Sequence, residues 1–91
     1  GNKTVRVYIS EKKWKYIYMN HKRGIAKGNP TLLTYDSSNI NAARRTAALK
    51  ASGISSSSQV DRDEYPYAHT EEGGSNASVM QVPRSENRSH G

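Results

Sequence analysis

The 91-residue sequence contains no cysteine. That excludes disulfides and thiolate zinc sites, two common ways of stabilising a thin core. It assigns no compartment, because many secreted bacterial proteins also lack cysteine. Long apolar runs are missing too. Nothing approaches the ~18 consecutive apolar residues of a membrane span, so no membrane partner is expected. Only 33% of the residues are hydrophobic and the mean hydropathy is −0.93, which suits one domain with a modest core. No leader-like segment opens the chain. Gly1 reads as a domain boundary, with any export segment expected ahead of it.

Acidic residues are scarce in one half only. Residues 1–50 hold eleven Lys/Arg against Glu11 and Asp36, a balance of +9, whereas residues 51–91 hold three against six, a balance of −3. A basic half is what a polyanion-binding surface requires, since phosphate contacts release condensed counterions. An acidic stretch beside it is where a divalent cation would sit. An ordinary solvated surface has the same composition, so charge alone leaves both readings open.

Hydrophobic spacing predicts an α+β chain. Val5, Val7 and Ile9 alternate through Thr4-Val5-Arg6-Val7-Tyr8-Ile9 and predict a strand. Ser10 then reads as the cap of a helix reaching Ala26, with Trp14, Ile17, Tyr18, His21 and Ile25 as its apolar stripe and Gly28-Asn29-Pro30 as its end. Thr31 to Tyr35 predicts a second strand. Asp36, Ser37, Ser38 and Asn39 offer caps for a second helix from Ile40 to about Ala51, closed by Gly53. Ser55 to Ser58 has nothing apolar to bury and reads as a mobile linker. Beyond it, Val60–Tyr67 and Ala77–Val82 predict two strands around a turn at Glu71-Glu72-Gly73-Gly74, and Ser85 predicts the cap of a helix opening with Glu86-Asn87-Arg88. The expected organisation is one domain: a basic α/β part at 1–54, the serine-rich linker at 55–59, and a ββα unit at 60–91.

The ββα unit carries the chemistry. Asp61-Arg62-Asp63-Glu64 packs three carboxylates around a guanidinium. On a strand Asp61 and Asp63 face one way and Arg62 and Glu64 the other. Paired oxygens would suit a hard cation, and an Arg would hold phosphate bidentately. A solvated acidic turn with a local salt bridge would look the same in composition. The surrounding residues add weight to the first reading. Asp61-Arg62-Asp63-Glu64-Tyr65-Pro66-Tyr67-Ala68, then Glu72-Gly73-Gly74, Ala77-Ser78-Val79, Asn87-Arg88 and Gly91 resemble the NucA/NucB deoxyribonuclease family in order and spacing.

The resemblance implies a secreted, non-specific, divalent-metal-dependent endonuclease on a ββα-metal, His-Me finger-like core, with Mg²⁺ or Mn²⁺ as cofactor. Larger relatives carry DRGH, with a histidine base; here DRDE puts a carboxylate in its place, so Asp63 or Glu64 would accept the proton. Asn87 would ligate the metal through its amide oxygen, with Asp61 as a further oxygen ligand. Arg62 and Arg88 would stabilise charge on the phosphate. Ser89-His90 stand where the family usually has small residues. Its pattern also continues through a helical stretch and a closing strand, so this chain is expected to lack that C-terminal piece. DNA is the expected partner, and an immunity protein a second one if the domain belongs to a bacterial toxin. The competing reading is a non-catalytic nucleic-acid-binding module, which would gain nothing from three carboxylates near phosphate.

Adjacent Arg44 and Arg45 cannot both face the core, so one is expected to reach the acidic tetrad or DNA. His21 reads as a core or boundary residue. His69 follows the tetrad strand and could approach metal or phosphate. His90 stands one helical turn from Asn87. Trp14 and Tyr18 are expected to pack in the core, and Trp14, Tyr16 and Tyr18 together could alternatively stack on bases. Asn76-Ala77-Ser78 matches a glycosylation sequon that a bacterial chain would leave idle.

Overall fold

The computed structural model describes residues 3–36, 40–55, 57 and 59–90, with Asn41 and His90 described by their backbone alone. The caps expected at Ser37, Ser38 and Asn39, the metal role weighed for the His90 side chain, and Gly91 lie outside the described residues.

The chain is α+β, as its periodicity predicts. In order, the elements are β1 (Thr4–Arg6), α1 (Lys15–Ala26), β2 (Leu32–Thr34), α2 (Asn41–Ser52), β3 (Val60–Tyr65), β4 (Ser78–Pro83) and α3 (Arg84–His90). β1 and β2 pair antiparallel with Val5 opposite Leu33, and β3 and β4 pair antiparallel with Asp63 opposite Met80. α1 and α3 touch each other and both strands of the second hairpin, and α2 touches those strands as well. The alternation of β3 separates the two layers. Asp61, Asp63 and Tyr65 meet α1 and α3, whereas Arg62 and Glu64 turn toward α2 and the segment after it.

The core is small. Ala48 of α2, Ala77 and Val79 form one cluster, with Leu49 and Ile54 against it. On the other face Ile17, Tyr65 and Val82 are fully buried. α1 differs from its expected stripe: the residues buried along it are Ile17, Asn20 and Gly24. Trp14, Tyr18, His21 and Ile25 flank that line half-buried. The central row is polar and small because α1 docks on backbone. A Cβ on Gly24 would stand 2.7 Å from Tyr65 Cδ1 and 3.0 Å from its carbonyl oxygen. Asn20 Nδ2 donates to the carbonyls of Asp63 and Ser78, each at 3.0 Å, so one side chain fastens both strands. A larger apolar residue at either position would force the helix off the sheet.

Some boundaries also move. The first strand ends at Arg6, and the third at Tyr65. Ser10 accepts the amide of Lys13 at 3.2 Å and so caps only a turn. The regular helix begins at Lys15, where its third amide, on Ile17, donates to Glu86 Oε2 at 2.7 Å. A carboxylate at a helix N-terminus satisfies an orphan amide and the helix dipole together. Here it arrives from α3. That helix starts at Arg84 rather than at Glu86 behind a Ser85 cap, directly from the end of β4. The described members of the serine-rich stretch are tied to the same corner, through Gln81 to the carbonyl of Ser55 and Arg84 to that of Ser57.

Candidate active site

Among the described residues the sheet formed by β3 and β4 has two strands, which leaves the second edge of β3 open. A cleft of about 460 Å³ runs there, lined by Arg62, Asp63, Glu64, Tyr67, Asn87, Arg45, Tyr35, His69 and residues 7–9. An open edge explains why side chains from both faces of one strand reach the same space. Of the residues singled out in the sequence, Arg62, Asp63, Glu64, Asn87, Arg45 and His69 are brought together here.

Asp63 and Glu64 are both buried, 9% and 8% exposed. Asp63 Oδ2 accepts Asn20 Nδ2 at 2.9 Å. Burial pushes its carboxyl up to about 6, opposed by the Asn20 hydrogen bond and assisted by the charges of Glu64 and Glu86. Glu64 is tethered by its Oε1, which accepts the Ala68 amide at 3.2 Å and pairs with Arg45 at 3.3 Å. Its other oxygen, Oε2, is buried and has no hydrogen-bond partner among the described residues. A buried carboxylate oxygen is costly without a donor or a cation.

Asp61 is placed differently. It is absent from the cleft lining and accepts Asn87 Nδ2 and Arg84 Nε, both at 3.0 Å, with Arg88 Nε at 3.6 Å. The Asn87 hydrogen bond, with Arg84 and Arg88 adding to it, holds this carboxyl below the usual range. Asn87, committed through its nitrogen, has its amide oxygen left to offer the cleft. Arg88 is an exposed arginine steered by Asp61, and Arg44 is spent on Asp36 at 2.7 Å. Arg45 is therefore the member of the adjacent pair that reaches the tetrad.

His21 behaves as a boundary residue. Its ring lies 4.2 Å from that of Tyr65, and burial followed by the charge of Lys22 lowers its pKa. Trp14 bonds Ser89 through its ring nitrogen at 3.3 Å and carries the Lys13 ammonium over its face. Ser78 of the sequon is buried against Asn20, and Asn76 donates to Asn29. The glutamate-glycine turn is structural. Glu72 Oε1 accepts the Thr34 amide at 2.8 Å, and a Cβ on Gly73 would stand 2.2 Å from the Tyr67 carbonyl oxygen.

Asn20, Arg84 and Tyr35 were not read as site residues. The spacing of Arg84, Asn87 and Arg88, which puts them on one helical face, was a signal for Arg84. Asn20 leaves only the weak trace of an amide in mid-helix, and Tyr35 none.

Among the described residues no three His, Cys, Asp or Glu side chains are gathered into a cage for an ion. The oxygens present still fit a hard cation. Glu64 Oε2 is unpartnered, the Asn87 amide oxygen is available, and Mg²⁺ typically takes one or two protein oxygens and keeps water for the rest.

Carboxylates, two guanidiniums and an amide oxygen lining one cleft are groups suited to holding and hydrolysing a phosphodiester. The profile of the family Deoxyribonuclease NucA/NucB matches residues 19–91, and the chain belongs to that family. No individual curated protein matches it.

Proposed function

We propose that this protein is a divalent-metal-dependent endonuclease that cuts DNA with little regard to sequence. It acts outside the cell that makes it, as a secreted nuclease or as the nuclease domain of a toxin restrained by an immunity protein. The observation that carries the reading is the convergence of Arg62, Asp63, Glu64, Arg45 and Asn87 on one cleft at the open edge of β3. The cationic groups available there suit backbone phosphate, which every DNA sequence presents.

Asp63 fits the base. Asn20 fixes its carboxylate, and the shift toward about 6 leaves it ionised yet basic enough near neutrality to take a proton from water. As the water oxygen bonds to phosphorus, its proton passes to Asp63 and the bond to the leaving oxygen breaks. The leaving oxygen takes its proton from solvent. Arg62 and Arg45 hold the phosphate oxygens as charge builds on them. Glu64 and Asn87 would hold Mg²⁺ or Mn²⁺, which when bound neutralises charge on the phosphoryl group. Asp61 stands behind Asn87 and keeps its amide oxygen toward the cleft.

Plasmid nicking in Mg²⁺ or Mn²⁺, run beside a DNA-binding titration in EDTA, tests the assignment. Asp63→Asn and Glu64→Ala should each slow nicking by roughly 10²–10⁴. DNA affinity without metal should hold level or rise, because negative charge has been removed. If both variants nick at the parent rate, the tetrad is a structural turn and the mechanism is wrong.

A further inference from the structure

His69 lies between two tyrosines. Its ring centroid is 5.1 Å from that of Tyr35 with planes 11° apart, and 5.5 Å from that of Tyr67 with planes 4° apart. Nearly parallel rings at such separations are offset stacks. Backbone pairing builds this row. Tyr35 bridges Thr70 just beyond β2, the Asp36 amide donates to the His69 carbonyl at 2.9 Å, and the Glu71 amide donates to that of Thr34 at 2.9 Å. Tyr67 is fixed from the other side by the edge-on ring of Tyr65, 5.7 Å away at 80°.

All three rings line the cleft that holds Arg62, Asp63 and Glu64. Aromatic rings whose work is packing are normally buried, yet Tyr35 is 39% exposed and His69 is exposed as well. None of the three occupies a fixed position of the DRDE-aromatic-Pro-x-Ala motif. Tyr67 is its open position, and Tyr35 and His69 lie outside it. Phosphodiester hydrolysis as derived above uses none of them.

We propose that Tyr35, the open end of the Tyr35–His69–Tyr67 row, is a platform for a nucleobase with His69 and Tyr67 stacked behind it, which makes single-stranded or locally opened DNA the preferred substrate of this site. The inference rests on the nuclease reading for its biological meaning. Every base has a π-face that can stack on an aromatic ring, whatever the sequence. In a duplex both faces are covered by neighbouring pairs, so only an unpaired base has one to give. A cleft of about 460 Å³ is in the range of single small-ligand sites, a size suited to one nucleotide. Arg45 and Arg62 line the same space, where the phosphates flanking that base would lie.

The test is binding in EDTA, followed by the fluorescence of a 2-aminopurine placed in a short thymidine oligonucleotide, with a hairpin duplex as control. The parent protein should quench the unpaired probe and bind the single strand more tightly than the duplex. Tyr35→Leu and His69→Ala should each weaken single-strand binding by about 5- to 100-fold, leave duplex binding within about 2-fold, and reduce the quench. His69→Phe keeps a flat ring without a titratable nitrogen, so it should retain both binding and quench. Equal losses on single strand and duplex, or no loss on either, would overturn the platform. So would a His69→Phe protein that loses single-strand binding, because the imidazole nitrogens and not a flat ring would then be responsible. Cleavage by the parent in Mg²⁺ is scored separately. Quenching without cleavage leaves the platform standing and removes the nuclease reading; cleavage without quenching does the reverse.

Discussion

Asn87 donates its side-chain nitrogen to Asp61 at 3.0 Å, across the join between α3 and β3. The bond decides which end of the amide Asn87 can offer the cleft. Asp61 is in turn held by Arg84, so the orientation is fixed by an ion pair rather than by a rotamer preference alone. An outer partner that aims a ligand typically controls metal affinity by 10- to 100-fold. Asp61→Ala should therefore raise the Mg²⁺ concentration needed for half-maximal nicking by about that factor, with much of the rate recovered at saturating metal. A rate that stays low at any metal concentration would mean that Asp61 acts on the substrate itself.

Asn20 ties the helix to the hairpin and to the base. Its nitrogen serves two carbonyls and the Asp63 carboxylate, and its oxygen accepts Ser78 Oγ at 2.7 Å. Truncation to Ala would leave several buried polar atoms unsatisfied, each costing about 1–3 kcal/mol. Asn20→Ala should lose about 2–4 kcal/mol by denaturant titration, with Asn20→Asp worse at neutral pH than at pH 5, where a proton can be shared with Asp63. Loss below about 1 kcal/mol in both would show that water replaces the amide.

The contrast between what was and was not legible in the sequence follows from range. Strand alternation and helix spacing are local, so each of the seven elements among the described residues is legible to within a few residues at its ends. The tetrad and Asn87 were legible as a motif because their spacing along the chain is fixed by one hairpin and one helix. The helix cap from Glu86 to Ile17 spans 69 positions and leaves no periodic trace. The polar row Asn20-Gly24 is hidden for the opposite reason: a helix docking on backbone selects small and hydrogen-bonding residues, which an apolar template passes over. Tyr35 and His69 meet through an isolated bridge, too short to carry a strand signal.

Gly73 offers a sharper test of the turn. A Cβ there would lie 2.2 Å from the Tyr67 carbonyl oxygen and 2.8 Å from its carbon, and backbone on both sides cannot yield as a side chain does. Gly73→Ala should lower the melting temperature by on the order of 10 °C, the equivalent of about 2 kcal/mol in a domain this small. It should also reduce nicking at temperatures where the variant remains folded, because the displaced segment carries Tyr67 into the cleft. A melting temperature within about 2 °C of the parent would mean that the turn reorganises freely.

Asp63 predicts how stability depends on pH. Its carboxyl is raised in the folded protein from 3.8 to about 6, so the folded state holds this proton more tightly than the unfolded chain does. The contribution is fully favourable below about pH 4 and is lost as pH rises through 6, since ionisation must then occur in a buried site. Asp63→Asn removes the titration, and its amide oxygen can still accept from Asn20. The variant should match the parent near pH 4 and exceed it at pH 7 by on the order of 2–3 kcal/mol, measured in EDTA so that no bound cation offsets the charge. Asp61, whose shift runs the other way, is present in both proteins and cancels in the difference. The same variant should be nearly inactive, so the site would gain stability by losing its base. A stability difference that does not change between pH 4 and 7 would show that Asp63 ionises as freely in the folded protein as in the unfolded chain, and the case for it as a base poised near neutrality would fail.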